Sequence, residues 1–545
     1  MAASHPTTAR SNGAASRRPD ELSPLLPQPS ISTSPVRAEV GRARRRWSPA
    51  AISYLFLILI VAGNTADGIS SPALTRIYES IYCRQYYEQH DQSMIGRDGG
   101  DDVPEELCKI RKVQGEVAML KAWQTFFEAI GSILLAIPWG YFADVYGRKP
   151  VLVLVTYALF IRSLWIQVVC YWWKIFPIKA VWLSGLYSIT GGAPVFAAMA
   201  YTVLADVIPQ EERVTMFFRY GAAQLFSGFY SPPLAGLLMQ FGLFVPTLAG
   251  ASLFGLMAAL TSFVPETLDY GSDNDAGPVD DPAALLPKGP ATFKQRICQV
   301  LAQLHDATAF LWADVRVLIL VLANVMHTIV SNLDDLFIQY ISARFHIPLA
   351  RSTLVIAFEN ALMVIHLLAV LPGVTHLLMT RFKMPSQHKD LFLGQLSALL
   401  LALGLVSIGV APTLPLFVTA IPIFVAGSGF FYLVRNLVTS FVEPHHIARL
   451  YTVLTLVDMA GVLAGSPAFA ALFDRGLQAG DGGAVGLPFI VCGLMIAVSG
   501  ASMLFIRVRD GPVAETGGDE EAEREALLAP SPLHTIPPPP PEERA

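Results

Sequence analysis

The sequence predicts an all-α membrane protein in which twelve transmembrane helices form two pseudo-symmetric six-helix bundles. Three observations predict it. Of the 545 residues, 53% are hydrophobic and only 15% are charged, whereas a soluble chain carries about 25% charge. About twelve apolar runs approach the ~20 residues that a helix needs to cross hydrocarbon. They lie near 50–72, 121–141, 150–172, 179–205, 214–240, 243–264, 315–341, 353–379, 390–411, 415–438, 451–473 and 485–506. Finally, part of the first six runs recurs in the last six with the same order and spacing, the mark of an internal repeat.

Residues 1–46 are rich in Ser, Pro, Ala and Arg, a composition that favours a disordered tail. They close on Arg42, Arg44, Arg45 and Arg46. By the positive-inside rule this cluster puts the N-terminus in the cytoplasm, and twelve spans return the C-terminus to the same side. Arg148, Lys149, Arg213, Arg381, Lys383, Lys389, Arg507 and Arg509 then fall inside. Lys174, Lys179, Arg344 and Arg351 fall outside, so the bias is clear but not clean. The first apolar run is long enough to span and follows a polar leader, so no cleavable signal peptide is expected.

The first bundle is expected over 47–264. Its first run carries Asn64, Asp67 and Ser71 along one face. The connection that follows, about 80–118, is the one long external loop, and it holds Cys83 and Cys108. Two thiols on the oxidising side suggest a disulfide; the alternative is a pair of unpaired cysteines in a polar loop. The other cysteines, Cys170, Cys298 and Cys492, fall in or near apolar runs or in the central connection. No N-x-[ST] sequon gives an independent check on sidedness.

The second and third runs are joined by Gly140-Tyr141-Phe142-Ala143-Asp144-Val145-Tyr146-Gly147-Arg148-Lys149-Pro150. So tight a turn holds two helices antiparallel and sets an acid and two cations at one membrane face. Glycine permits close packing at Gly140 and a positive φ at Gly147. The stretch resembles the loop signature of the major facilitator superfamily, G-x-x-x-D-[RK]-x-G-R-[RK], with Val145 where that family usually has a cation. The fourth run closes on Asp206-x-x-Pro209-x-x-x-Arg213. The resemblance implies that Gly140, Asp144, Gly147, Arg148, Lys149, Asp206 and Arg213 form a gate, a charge network latching the two halves in the outward-facing state. The plain alternative is interfacial charge with no gating role.

The fifth run carries Gly228, Ser231-Pro232-Pro233 and Gly236. Proline in a spanning helix frees a carbonyl, and small neighbours let another helix satisfy it. The element resembles the proline–glycine element of drug–proton antiporters in the same helix, with Ser231 in place of a glycine; a plain kink is the other reading. The fourth run reads Leu183-Ser184-Gly185-Leu186-Tyr187-Ser188 where many proton antiporters carry an arginine.

Residues 265–312 form a central cytoplasmic loop, 313–508 the second bundle, and 509–545 an acidic, Pro-rich tail expected to be disordered. The repeat supports this division. Val207-Ile208-Pro209-Gln210-Glu211-Glu212-Arg213 and Ser231-Pro232 correspond to Val442-Glu443-Pro444-His445-His446-Ile447-Ala448-Arg449 and Ser466-Pro467; the Arg-to-Ser-Pro spacing agrees within one residue. Leu134-Leu135-Ala136-Ile137-Pro138 likewise matches Leu367-Leu368-Ala369-Val370-Leu371-Pro372. Two parallel halves of this kind suit rocking about a central site.

Ionisable groups within spans are costly and usually line a pathway. Asp67, Glu128, His327, Glu359, His366 and Asp458 are candidates for a proton or substrate path, with Arg162 beside them. Structural pairing is the rival role for any one of them. The seventh run adds a polar stripe of Asn324, His327, Ser331, Asp334 and Asp335. Glu359, with Asn360 beside it and His366 two turns on, is the first choice for proton coupling and Asp458 the second.

No catalytic constellation, metal-ligand cluster or cofactor motif is found, and the missing G-x-x-x-x-G-K-[ST] argues against nucleotide hydrolysis. Nothing suggests nucleic-acid binding. His445-His446 reads as a solvated loop pair. The resemblance, which covers about 47–508, is strongest to fungal drug- and metabolite-efflux pumps. Tetracycline exporters and proton-coupled folate-type carriers are also similar. It implies a secondary active transporter in the lipid bilayer, with protons and a small organic substrate as partners. Export of an amphipathic compound by proton antiport is expected ahead of proton-coupled uptake, with a flux-free receptor or scaffold third. Acidic dileucine patterns, Glu21-x-x-x-Leu25-Leu26 and Glu523-x-x-x-Leu527-Leu528, raise the vacuolar membrane as an alternative to the plasma membrane.

Overall fold

The computed structural model describes residues 47–96, 103–208, 210–267, 314–442, 447–479 and 484–507. The expected tails (1–46 and 509–545), most of the central loop with Cys298, the arginine cluster, both dileucine patterns and His445-His446 lie outside these residues.

Among the described residues twelve helices follow in order: α1 (Pro49–His90), α2 (Arg111–Tyr146), α3 (Arg148–Tyr171), α4 (Ile178–Val207), α5 (Gln210–Leu238) and α6 (Val245–Phe263). The second six are α7 (Val315–Ser331 and Asp334–Phe345), α8 (Leu349–Thr380), α9 (Ser386–Val410), α10 (Leu414–Ser440), α11 (Ile447–Gln478) and α12 (Leu487–Ser502). No strand occurs among the described residues. Among those residues, nine helices are long and apolar enough to cross a membrane. The others are α7, interrupted at Asn332-Leu333, and α2 and α5, which carry polar groups toward the interior.

Local chemistry explains where the helices start and stop. Ser48 accepts from the Ala51 N–H at 3.2 Å and Pro49 opens α1, since proline at the first position sacrifices only an unpaired N–H. Gly147, at φ 106°, ends α2 and launches α3 without a linker. The first part of α4 is a tight 3-10 stretch (Ile178–Thr190) that ends on left-handed Gly191. Helix α8 relaxes through a π-turn (His366–Val370) just before Pro372, and α10 is broken at Gly427–Gly429.

The two halves pack alike. Helix α3 lies on α6 as α9 lies on α12; α1 lies on α5 and α6 as α7 lies on α11 and α12; α2 and α3 meet α4 as α8 and α9 meet α10. The seams between the halves are α2 against α11 and α5 against α8. Each half has its own core. Phe56, Leu59, Val155, Val203 and Met257 belong to the first. Tyr340, Phe417, Phe430, Phe473 and Phe489 belong to the second, which also takes in Ala118 and Ala122 of α2.

The expected long loop over 80–118 is shorter than predicted. Helix α1 runs to His90 and α2 begins at Arg111, leaving 91–110 as the connection. The helices continue because their ends bury a further apolar face: Ile77, Tyr78 and Ile81 pack with Val113, Val117, Ile166 and Val169. Cys83 therefore sits in α1, and it is disulfide-bonded to Cys108. Cys170 and Cys492 are buried free thiols. At Gly140 the expected close packing is not made. Among the described residues, no atom beyond its own helix backbone and chain neighbours lies within 4 Å of where a Cβ would stand.

Candidate functional site

Polar groups from α1, α2, α3 and α4 converge at the centre of the first half. Glu128 accepts from Arg162 Nη2 at 2.7 Å, from Ser184 Oγ at 2.6 Å and from Gln124 Nε2 at 3.1 Å. Tyr78 Oη in turn donates to Gln124 at 2.9 Å. The Glu128–Arg162 pair is largely buried, and three donors meet the desolvation cost that an isolated carboxylate would bear. With Asp67 it borders two cavities, of about 440 Å³ and 230 Å³. The larger also takes in Asn64, Gln224, Phe196, Phe254 and Met257, and Met459 and Val462 from α11 of the other half. Apolar walls around a few fixed polar groups are the usual form of a small-molecule site.

A second charged cluster sits in the other half. Asp458 of α11 is paired with Arg435 of α10 and accepts from Asn324 Nδ2 at 2.7 Å and Thr328 Oγ1 at 2.6 Å. Arg435 stacks over Phe431 at 4.3 Å, and His327 stacks on the same ring at 5.0 Å. Arg435 is absent from the sequence-based candidates, although an arginine inside the apolar run 415–438 is the same signal as Arg162. Glu359 and His366 lie on α8 and are not among the residues lining the two cavities. His366 is buried in the π-turn, and its Nε2 and the Nδ1 of His327 have no hydrogen-bond partner among the described residues. The side chains of Ser331, Asp334 and Asp335 fall outside what the structure describes.

At the end of the bundle formed by the Gly140–Pro150 turn, Arg148 Nε meets Asp206 Oδ2 at 3.2 Å. Glu266, which follows α6, accepts from the backbone N–H groups of Arg148 at 2.8 Å and Lys149 at 3.2 Å. It thus caps the N-terminus of α3, where negative charge is favoured. A Cβ on Gly147 would collide with this carboxylate. These contacts of Arg148, Lys149 and Asp206 lie within the first half. The side chains of Asp144 and Arg213 fall outside the described part.

In α5, Ser231 Oγ returns a bond to the Ser227 carbonyl at 2.5 Å and packs against Gly68 of α1. In α11 the residue before the matching Ser466-Pro467 is Gly465, which packs against Asn332 of α7. Pro232 leaves the Gly228 carbonyl without its helical donor, and Asn360 Nδ2 of α8 supplies one at 2.9 Å. Gly236 is pressed against Ala350 and Thr353 of α8.

Residues 117–466, more than half of the chain, match the family model described as Major Facilitator Superfamily. The chain belongs to that superfamily. It is a multi-pass membrane transporter and not an enzyme. It is 29% identical over 446 residues to the MFS-type transporter aprT of Aspergillus flavus, covering 82% of this chain and 86% of that protein. It is 28% identical over 489 residues to the MFS efflux pump atnC of Emericella nidulans, covering 88% and 92%. Its fold resembles that of a bacterial homologue of the iron transporter ferroportin, with a TM-score of 0.56 at 14% identity over 84% of this chain and 100% of that one.

Proposed function

We propose that this transporter exports a small amphipathic organic compound in exchange for protons, by alternating access of a central site. The observation that carries the reading is the 440 Å³ cavity, in which Asp67, Glu128 and Arg162 stand among Phe196, Phe254 and Met257 and which α11 of the other half helps to close. An apolar wall takes the hydrophobic part of the compound, and the polar groups fix its orientation. The relatives named as efflux pumps support export over uptake.

Asp67, Glu128 and Asp458 are the carboxylates proposed for proton exchange, with Glu359, His327 and His366 as the further groups of the path. Asp67 ranks first on position, because it borders both cavities beside the Glu128–Arg162 pair. Arg148, Lys149, Asp206, Gly147 and Gly140, with Asp144 and Arg213, are proposed as the gate at the opposite end from the disulfide. Ser231, Pro232, Pro233 and Gly236 are proposed as the kink of α5. The proposed setting is the plasma membrane with both termini cytoplasmic, and the vacuolar membrane is the alternative.

Inside-out vesicles carrying the chain provide the test. Under an imposed pH gradient, acid inside, export predicts uphill accumulation of a lipophilic test compound that collapses with an uncoupler. Accumulation only in right-side-out vesicles, acid outside, would mean uptake, and no flux of any compound in either would remove the transport reading of the cavity.

A further inference from the structure

The seam between α5 and α8 joins side chains of one half to backbone groups that a helix of the other half leaves unpaired. Helix α8 begins at Leu349 behind Pro348, which offers no capping side chain, so its first N–H groups need an outside acceptor. Glu105 Oε1, from the connection between α1 and α2, accepts from the Leu349 N–H at 2.8 Å. That carboxylate is fixed in turn by Lys109 Nζ at 2.9 Å and Arg76 Nε at 3.2 Å. Lys109 is buried against Glu79 at 2.7 Å, and Cys83–Cys108 ties the connection to α1. Farther along the seam the direction reverses: Asn360 of α8 donates at 2.9 Å to the Gly228 carbonyl of α5, the one that Pro232 orphans.

We propose that Glu105 and Asn360 are the latch of the disulfide-side face, each satisfying across the halves a backbone group with no partner in its own helix. Parting the halves there uncovers a bare N-terminus on α8 and a bare carbonyl within α5. An unpaired carbonyl inside a spanning helix is unfavourable, so opening has to replace the Asn360 bond by water, as it replaces Glu105 by water at the start of α8. The capping of α3 by Glu266 is the fixed counterpart, because it lies within one half. The latch rests on alternating access and does not depend on which substrate or coupling ion is carried.

Spin labels at Glu106→Cys and Arg351→Cys, both exposed and on opposite sides of the seam, report its opening by pulsed electron resonance. The full chain is measured in lipid nanodiscs with Cys298→Ser, since Cys170 and Cys492 are buried. Glu105→Ala and Asn360→Leu should each raise the long-distance population relative to the parent by roughly tenfold, the scale for losing one strong hydrogen bond. Glu105→Gln keeps an acceptor and should shift the population less in the same direction, which secures the test if Glu105→Ala fails to fold. Distance distributions unchanged from the parent in Asn360→Leu and in both Glu105 variants would overturn the latch. Because the readout is a distance and not a flux, a wrong substrate or coupling ion does not affect it.

Discussion

Among single residues, the Glu128–Arg162 pair has the most restricted role. Removing one charge of a fully buried pair costs about 3–5 kcal/mol; this pair borders two cavities, so the loss is smaller but of the same sign. Glu128→Gln should therefore lower the melting temperature of the purified protein, whereas Glu128→Gln combined with Arg162→Gln should recover most of the loss. If the pair also positions the cavity, the double variant regains stability but not flux; recovery of both would reduce it to a scaffold. Glu105, outside the spans, gives a pH prediction. Burial raises its carboxyl, but Arg76 and Lys109, the Lys109 hydrogen bond and the Leu349 N–H outweigh this and hold it below its ordinary value of 4.5. Glu79 is the other acid of the cluster and is shared with Lys109 and Gln114. A lowered pKa stabilises the closed face fully above 4.5 and loses that contribution only as the pH falls through the lowered value. The spin-label distances should therefore match at pH 7 and pH 5 and lengthen below 4.5. Lengthening already between pH 7 and pH 5.5 would assign the control to another group.

At the scale of elements, apolar runs located the helices well because a lipid-facing surface constrains composition along the whole span. Their ends were less legible. The extension of α1 through Tyr86 and Tyr87 to His90 is amphipathic and polar enough to read as loop, and only its packing on α2 and α3 keeps it helical. The π-turn at His366 and the break at Gly427–Gly429 come from packing around α8, α9 and α10, with Gly427 against Leu401 and Gly429 against Leu371. The acids Glu128 and Asp458 stand out as charges in apolar runs, and Asn324 as part of a polar stripe, but that Ser184 pairs with Glu128 and Thr328 and Asn324 with Asp458 is not legible, since pairing is tertiary. The role of Pro232 was legible in kind: a freed carbonyl and a neighbouring helix to satisfy it. Pro232→Ala restores a helical N–H to the Gly228 carbonyl, which has two lone pairs and so keeps a partner even when Asn360 leaves. Opening then leaves the Gly228 carbonyl paired, and the open population at the labelled seam should rise, less than in Asn360→Leu. A fall or no change would mean that the kink, and not the freed carbonyl, is what α5 needs.

Across the whole molecule, the matched packing of the halves makes α2–α11 and α5–α8 one seam repeated by the internal pseudo-symmetry. At its disulfide end the structure draws the halves together: Gln339 Nε2 donates to the Gln114 carbonyl at 2.7 Å, and Gly115 faces Asp474. Alternating access requires this end to open in every cycle, so a covalent tie across it should stop transport without disturbing either half. Gly115 and Asp474 suit such a tie. A Cβ built on Gly115 lies 3.7 Å from the Cβ of Asp474, within the roughly 3.5–4.5 Å that a disulfide spans. Replacing Asp474 by cysteine also removes the carboxylate that a Cβ at 115 would strike, so Gly115→Cys/Asp474→Cys should pair on mild oxidation. Cys83–Cys108 is fully buried, and gentle reduction should open the engineered bond first. Flux in reconstituted vesicles should fall to background on oxidation and return on that reduction, with each single variant insensitive to both. A fully cross-linked protein that transports at the reduced rate would show that the α2–α11 seam never parts at this end, and the rocking of one half on the other would have to be abandoned.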